Sequence, residues 1–88
     1  MTELEVNKII AQFIGANYQD EELKYTSSWD WLIPIYQKLY LNSGELSDEN
    51  WLYITNEMYD KLDVLTQTPK EFAYLLAEII EQYNAVLK

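Results

Sequence analysis

The sequence contains no cysteine, no histidine and no arginine, and only two glycines and two prolines. Without cysteine there is neither a disulfide framework nor a thiolate metal site, which fits a reducing compartment; a cytoplasmic location is the expectation. Histidine, cysteine and arginine are the usual general base near neutral pH, the usual thiolate and the usual phosphate clamp. Their joint absence predicts a protein that is not an enzyme and carries no cofactor and no metal. A carboxylate pair can hydrolyse glycosides, but only from a cleft with matched separations, unlike a solvated acidic helix face. The scarcity of glycine and proline also removes the repeated tight turns of an all-β sandwich. Apolar runs are only a few residues long, whereas a membrane span needs about 20. Glu3 and Glu5 stand where a secretory signal would carry basic residues, so a signal peptide is not expected.

Charge of one sign is scarce as well. Six lysines face 15 carboxylates, for a formal net charge of −9. Phosphate neutralisation drives nucleic-acid binding and clustered lysine and arginine drive binding to anionic membranes, so the sequence predicts no direct nucleic-acid partner and no membrane partner. A basic protein partner suits the balance. What is present is sufficient for folding: 49% of the 88 residues are hydrophobic and 24% are charged, a mixture that can offset chain entropy. The length predicts a single small acidic domain.

Three segments carry strong helix signals. Thr2 and Glu5 form a capping-box pattern, Val6, Ile9, Ile10 and Phe13 follow at helical spacing, and Gly15 offers a stop, predicting a helix over 3–14. Residues 16–27, with Asp20, Glu21 and Glu22, read as a loop or a brief helical turn. Ser27, Ser28 and Asp30 then supply caps for a second helix. A proline past the first turn loses a hydrogen bond, so this helix is expected either to start near Leu32 or to kink at Pro34. Ile35, Tyr36, Leu39 and Tyr40 continue the period, and residues 42–44 end it. The fourth segment opens with Thr68-Pro69-Lys70-Glu71, which combines an N-cap, a first-turn proline and a capping-box glutamate, and runs on through Phe72, Leu75, Leu76, Ile79, Tyr83 and Val86.

The third segment is open to two readings. Leu46 and Trp51 flank Ser47 as a hydrophobic staple, and Asp48 and Glu49 fall in the dipole-favoured first turn. A helix over 48 to about 63 places Trp51, Ile54, Met58, Leu62 and Leu65 on one side and Glu49, Tyr53, Glu57, Asp60 and Asp63 opposite. The alternative is a strand over 51–55 pairing with 62–66. The fold class is accordingly mainly α, a bundle of about four helices; the alternative is α+β with a short β-hairpin between residues 51 and 66.

Three stretches, Ile10-Ala11-Gln12-Phe13-Ile14-Gly15, Tyr25 through Leu39 around Ser28-Trp29-Asp30-Trp31-Leu32-Ile33-Pro34, and Ile80-Glu81-Gln82-Tyr83-Asn84, together covering about a third of the chain, resemble a family of short uncharacterised proteins of Bacteroidetes and their phages. That family typically carries an SWDWLMPVVEKI-like segment and ends in a YN pair. The resemblance implies a phage or mobile-element setting, two N-terminal helical pieces, a C-terminal helix and a strand-forming middle. It supplies no catalytic residue.

The candidate binding residues are of two kinds. Glu49, Glu57, Asp60 and Asp63 form an acidic face, which suits a basic patch on a host or viral protein, including a nucleic-acid-binding protein whose groove the acids would block. At the α-helical rise they span ~21 Å, over which duplex DNA presents about 12 phosphate charges, so four carboxylates cover a patch and do not imitate a duplex. Tyr25, Trp29 and Trp31 form an aromatic group of the kind enriched in binding hot spots. Two tryptophans at i, i+2 cannot share one helical face. Ser27, Ser28 and Asp30 resemble an activated nucleophile only superficially, because no base or oxyanion hole accompanies them; helix capping is their expected role. Asp48, Glu49 and Asn50 lack the alternating ligands and glycine of a calcium loop. The predicted function is a non-enzymatic protein-interaction module. The alternative is a structural protein that self-associates into a homo-oligomer through its aromatics while its charge keeps it soluble.

Overall fold

The computed structural model describes residues 1–15 and 25–87, which form four α-helices and, among the described residues, no strand. These are α1 (Glu3–Ile14), α2 (Trp29–Ser43), α3 (Asp48–Lys61) and α4 (Pro69–Val86). The expected loop with Asp20, Glu21 and Glu22 lies outside the described residues as far as residue 24; residues 25–27 form a turn. The β-hairpin alternative is not realised, because residues 51–61 belong to α3 and 62–66 to the turn after it.

Local chemistry accounts for the helix ends. The Thr2 hydroxyl accepts from the Glu5 N–H at 3.2 Å while the Thr2 N–H donates to Glu5 Oε1 at 3.3 Å, a reciprocal pair that satisfies orphan donors at the start of α1. The carboxyl of Glu5 is accordingly held below its ordinary range, chiefly by the Thr2 backbone N–H. Gly15 closes α1 in the left-handed region at φ 71°, where its N–H reaches the carbonyls of Ala11 and Gln12. Thr68 and Glu71 repeat the capping box at the start of α4, with bonds of 3.2 and 3.1 Å, and Pro69 occupies the first helical position.

Two expected boundaries are refined: of the two readings of the second helix the start near Leu32 is not realised, and the third helix ends two residues before the expected position of about 63. α2 starts at Trp29, three residues before Leu32, and continues through Pro34 to Ser43. Pro34 and Asp30 are both exposed, so the carbonyl that loses its helical donor belongs to a residue water reaches, and hydration can offset the loss. Ser28 stands at the N-cap position, but its hydroxyl makes no capping bond; Trp31 and Leu32 donate instead to its backbone carbonyl. α3 stops at Lys61 although the apolar period runs on, because Asp63 captures the following backbone. Its carboxylate accepts from the Leu65 N–H and the Thr66 hydroxyl, both at 2.9 Å. Gln67 clamps the same turn, donating to the Lys61 carbonyl at 2.7 Å and accepting from the Asp63 N–H at 3.0 Å. Leu65, placed on the apolar face by periodicity, is therefore 91% exposed.

α4 packs against each of the other three helices. It buries Phe72, Ala73, Leu76, Ala77, Ile79, Ile80 and Tyr83, and the small side chains of Ala73 and Ala77, one turn apart, let its neighbours approach closely. Val6, Ile10 and Ala11 of α1, Leu32, Ile35 and Leu39 of α2, and Ile54 and Met58 of α3 complete one core cluster with Tyr25. The radius of gyration of 12.4 Å matches the ~12 Å of a compact chain of this length.

Candidate interaction surface

The capped α3 helix carries its acids on the side turned away from the core. At 100° per residue, Glu49, Tyr53 and Asp60 share one sector, opposite Ile54 and Met58. Glu49 and Asp60 are exposed, as is Asp48 in the first turn. Tyr53, Leu52 and Tyr59 are exposed beside them, Tyr59 to 85%. The surface is thus acidic and aromatic at once.

The four acids predicted as one face do not behave alike. Glu57 is half-buried and its Oε2 pairs with Lys61 Nζ at 2.7 Å, one turn on; the same hydrogen bond holds the Lys61 ammonium above its ordinary pKa. Asp63 lies beyond the helix, and its carboxyl is held below the usual range first by the Leu65 N–H and then by the Thr66 hydroxyl. Both residues have structural duties; within α3 itself, Glu49 and Asp60, with Asp48, are the carboxylates presented outward, while the exposed Asp63 follows in the turn.

The aromatic candidates also separate. Tyr25 is buried, at 4% exposure, and burial pushes its phenol above the ordinary value. Trp29 packs edge-on to Phe72, with ring centroids 5.1 Å apart, at the margin of the core. Trp31 turns the other way, as an i, i+2 spacing requires, and meets Tyr25 edge-on at 5.2 Å while 37% exposed. Trp31 is the one member of the three that presents an open ring.

Three of the described lysines have partners of their own. Lys38 lies over the Phe13 ring and Lys70 over Tyr74, at 5.5 and 6.0 Å from the centroids, and Lys61 is engaged with Glu57. Among the described residues no group of three or more acids has the proximity of a metal site, and no helix is long and apolar enough to cross a membrane.

Sequence reasoning missed Tyr40 and Tyr59, which stand exposed on α2 and α3. The signal was available in the i, i+4 ladders Tyr36–Tyr40 and Trp51–Thr55–Tyr59, but which ladders face each other depends on how the two helices meet. Comparison of the chain with protein-family models, with curated proteins and with solved structures finds no match.

Proposed function

We propose that the chain is a non-enzymatic protein-interaction module that binds a basic host or viral protein through the outward side of α3. The phage or mobile-element setting belongs to this proposal and rests on the resemblance around Ser28 to Pro34. The observation that carries it is the exposure of Asp48, Glu49 and Asp60 beside Tyr53 and Tyr59, with the neighbouring Lys61 already paired. From Asp48 to Asp60 the helix rises ~18 Å, against about 10 phosphate charges on duplex DNA. Three carboxylates suit a limited basic patch, such as part of the groove of a nucleic-acid-binding protein, and not a whole duplex site. Such a contact is steered by charge and screened by salt.

Neutralising Glu49 and Asp60 with Gln and Asn tests this. Capture of the partner should weaken, mainly through slower association, and lose most of its salt dependence while the helical circular dichroism stays unchanged. Capture and salt dependence that survive both substitutions would refute the charge-led reading. The exposed rings of Trp31 and Tyr59, with the exposed Val64 and Leu65 of the turn after α3, favour a second reading, self-association; sedimentation showing a salt-insensitive oligomer that Trp31→Ala dissociates would establish it.

A further inference from the structure

The open cleft between α2 and α3, we infer, seats a lysine- or arginine-rich amphipathic helix of the protein partner, two of whose apolar side chains, at i and i+7, fill two recesses in it. The inference rests on the reading of the chain as an acidic interaction module and specifies what that module grips.

The cleft has two parts. The first recess, about 220 Å³, lies among Tyr36, Tyr40, Trp51, Thr55, Met58 and Tyr59. The second, about 410 Å³, lies between Ile33 and Tyr36 of α2 and Leu62, Val64 and Leu65 of the following turn, with Phe72 as its floor. Tyr36 borders both, so the two are adjacent. The linings are mostly apolar, and the Thr55 hydroxyl is turned to its own helix, donating to the Trp51 carbonyl at 2.8 Å. Met58 is an adaptable wall and the exposed tyrosines are stiff rims that offer both ring and hydroxyl, qualities that favour protein contacts.

Charge selects the occupant. Asp63 lines the second recess and Asp48 lies on the same side of α3 as Thr55, so an acid stands toward each end of the cleft, while Glu49 and Asp60 lie farther round the helix. No described lysine lines either recess. A second copy of a chain with net charge −9 would set these acids against one another, which disfavours it. Lysines or arginines flanking an apolar stripe would complement them.

Backbone requirements favour a helical occupant over an added strand. An extended peptide gains affinity by adding to a sheet edge, and the described residues have no strand to extend, whereas a helix satisfies its own backbone and inserts only side chains. Spacing agrees: Thr55 lines one recess and Leu62, the residue that caps α3, lines the other, seven positions apart or ~10 Å, about the advance from i to i+7 on an incoming helix.

The test uses the full chain and two synthetic peptides of identical leucine and lysine composition, one with leucines at i, i+3, i+4, i+7 and one with them dispersed around the helix. Nuclear magnetic resonance titration should show the amphipathic peptide shifting the Trp51 indole and the amides of 55–65 while sparing the Trp31 indole. The dispersed peptide should bind at least about tenfold more weakly. Tyr59→Ser with Leu65→Ser should weaken the amphipathic peptide by about tenfold; both side chains are exposed, so the fold tolerates the change, as circular dichroism will verify. Equal binding of both peptides, weakened by Glu49→Gln and Asp60→Asn but not by the serine pair, overturns the cleft and leaves the acidic module standing. A dimer that the serine pair dissociates and the peptide displaces overturns the inference in favour of a second copy. Binding of neither peptide at low salt overturns the cleft and the acidic module together.

Discussion

Truncating the apolar stripe of α3 one residue at a time measures where that helix stops contributing to the core. Ile54 is fully buried and Met58 nearly so, Leu62 is half-buried, and Leu65 is 91% exposed. Removing a buried Ile or Met side chain to alanine costs ~2–5 kcal/mol, with the higher values where the site cannot collapse. Ile54→Ala should therefore cost ~3.5 kcal/mol and Met58→Ala ~3, while Leu62→Ala, with part of its surface already wet, should cost ~1.5. Leu65→Ala removes atoms that touch mostly water and should change stability by less than ~0.5 kcal/mol. Urea unfolding followed by far-ultraviolet circular dichroism gives these differences through the midpoint, provided the slope is unchanged. At ~4–8 °C per kcal/mol for a domain of this size, the first two variants should melt more than about 12 °C below the parent and the last within a few degrees of it. If Leu65→Ala costs as much as Met58→Ala, the turn built on Asp63 is wrong and the helix continues with its period.

Gly15→Ala should lower stability by ~1 kcal/mol, a purely conformational cost, since a Cβ there meets nothing within 4 Å but the residue sits at φ 71°; an unchanged melting temperature would deny the left-handed cap. Asp63, whose carboxyl is lowered by the Leu65 and Thr66 donors, contributes stability that is complete above its ordinary pKa of 3.8 and is lost as pH falls toward the lower folded value. The stability gap between the parent and Asp63→Ala should therefore narrow in acid; a constant gap from neutral pH downward contradicts the bonding pattern. Tyr25 and Tyr83 are both raised above 10.0 by burial, Tyr83 also by Glu45, so the fold should hold its full stability below that pH and lose it above, as the unfolded chain ionises first. The Tyr25→Phe, Tyr83→Phe double variant should flatten that alkaline limb in thermal melts; an unaltered limb assigns it to other groups.

Most of the fold was legible where its determinants are local. Thr2 with Glu5 and Thr68 with Glu71 are complete capping boxes within four residues, and both act as the pattern implies. The errors arose where a local rule met a non-local circumstance. Pro34 is disruptive in a packed helix interior, but here it lies on the wet side of α2, and what holds the turn before it is Trp29 against Phe72, 43 positions along the chain. The period through Leu62 and Leu65 is genuine, yet the hydrogen bonds of Asp63 and Gln67 outcompete another turn of helix. At the candidate surface, the exposed acids Glu49 and Asp60 were readable from helical spacing. The ion pair of Glu57 with Lys61 is an i, i+4 pair that helical spacing also offered; the facing of Tyr36 and Tyr40 by Trp51 and Tyr59 was not readable, because it depends on how two separate helices pack.

α4 follows the other three helices in the chain and, although α2 also touches all its neighbours, contributes the largest share of the buried core. A ribosome delivers the chain in order at about 5–20 residues per second, so α1, α2 and α3 emerge with apolar faces whose main counterpart has not yet been made. They can pair weakly and locally, but the core closes only when Phe72 through Tyr83 arrives. Folding during synthesis is thus deferred to a single late event, and a chain halted before residue 69 is a cluster of sticky amphipathic segments, a substrate for chaperones and proteases before it is a binding module.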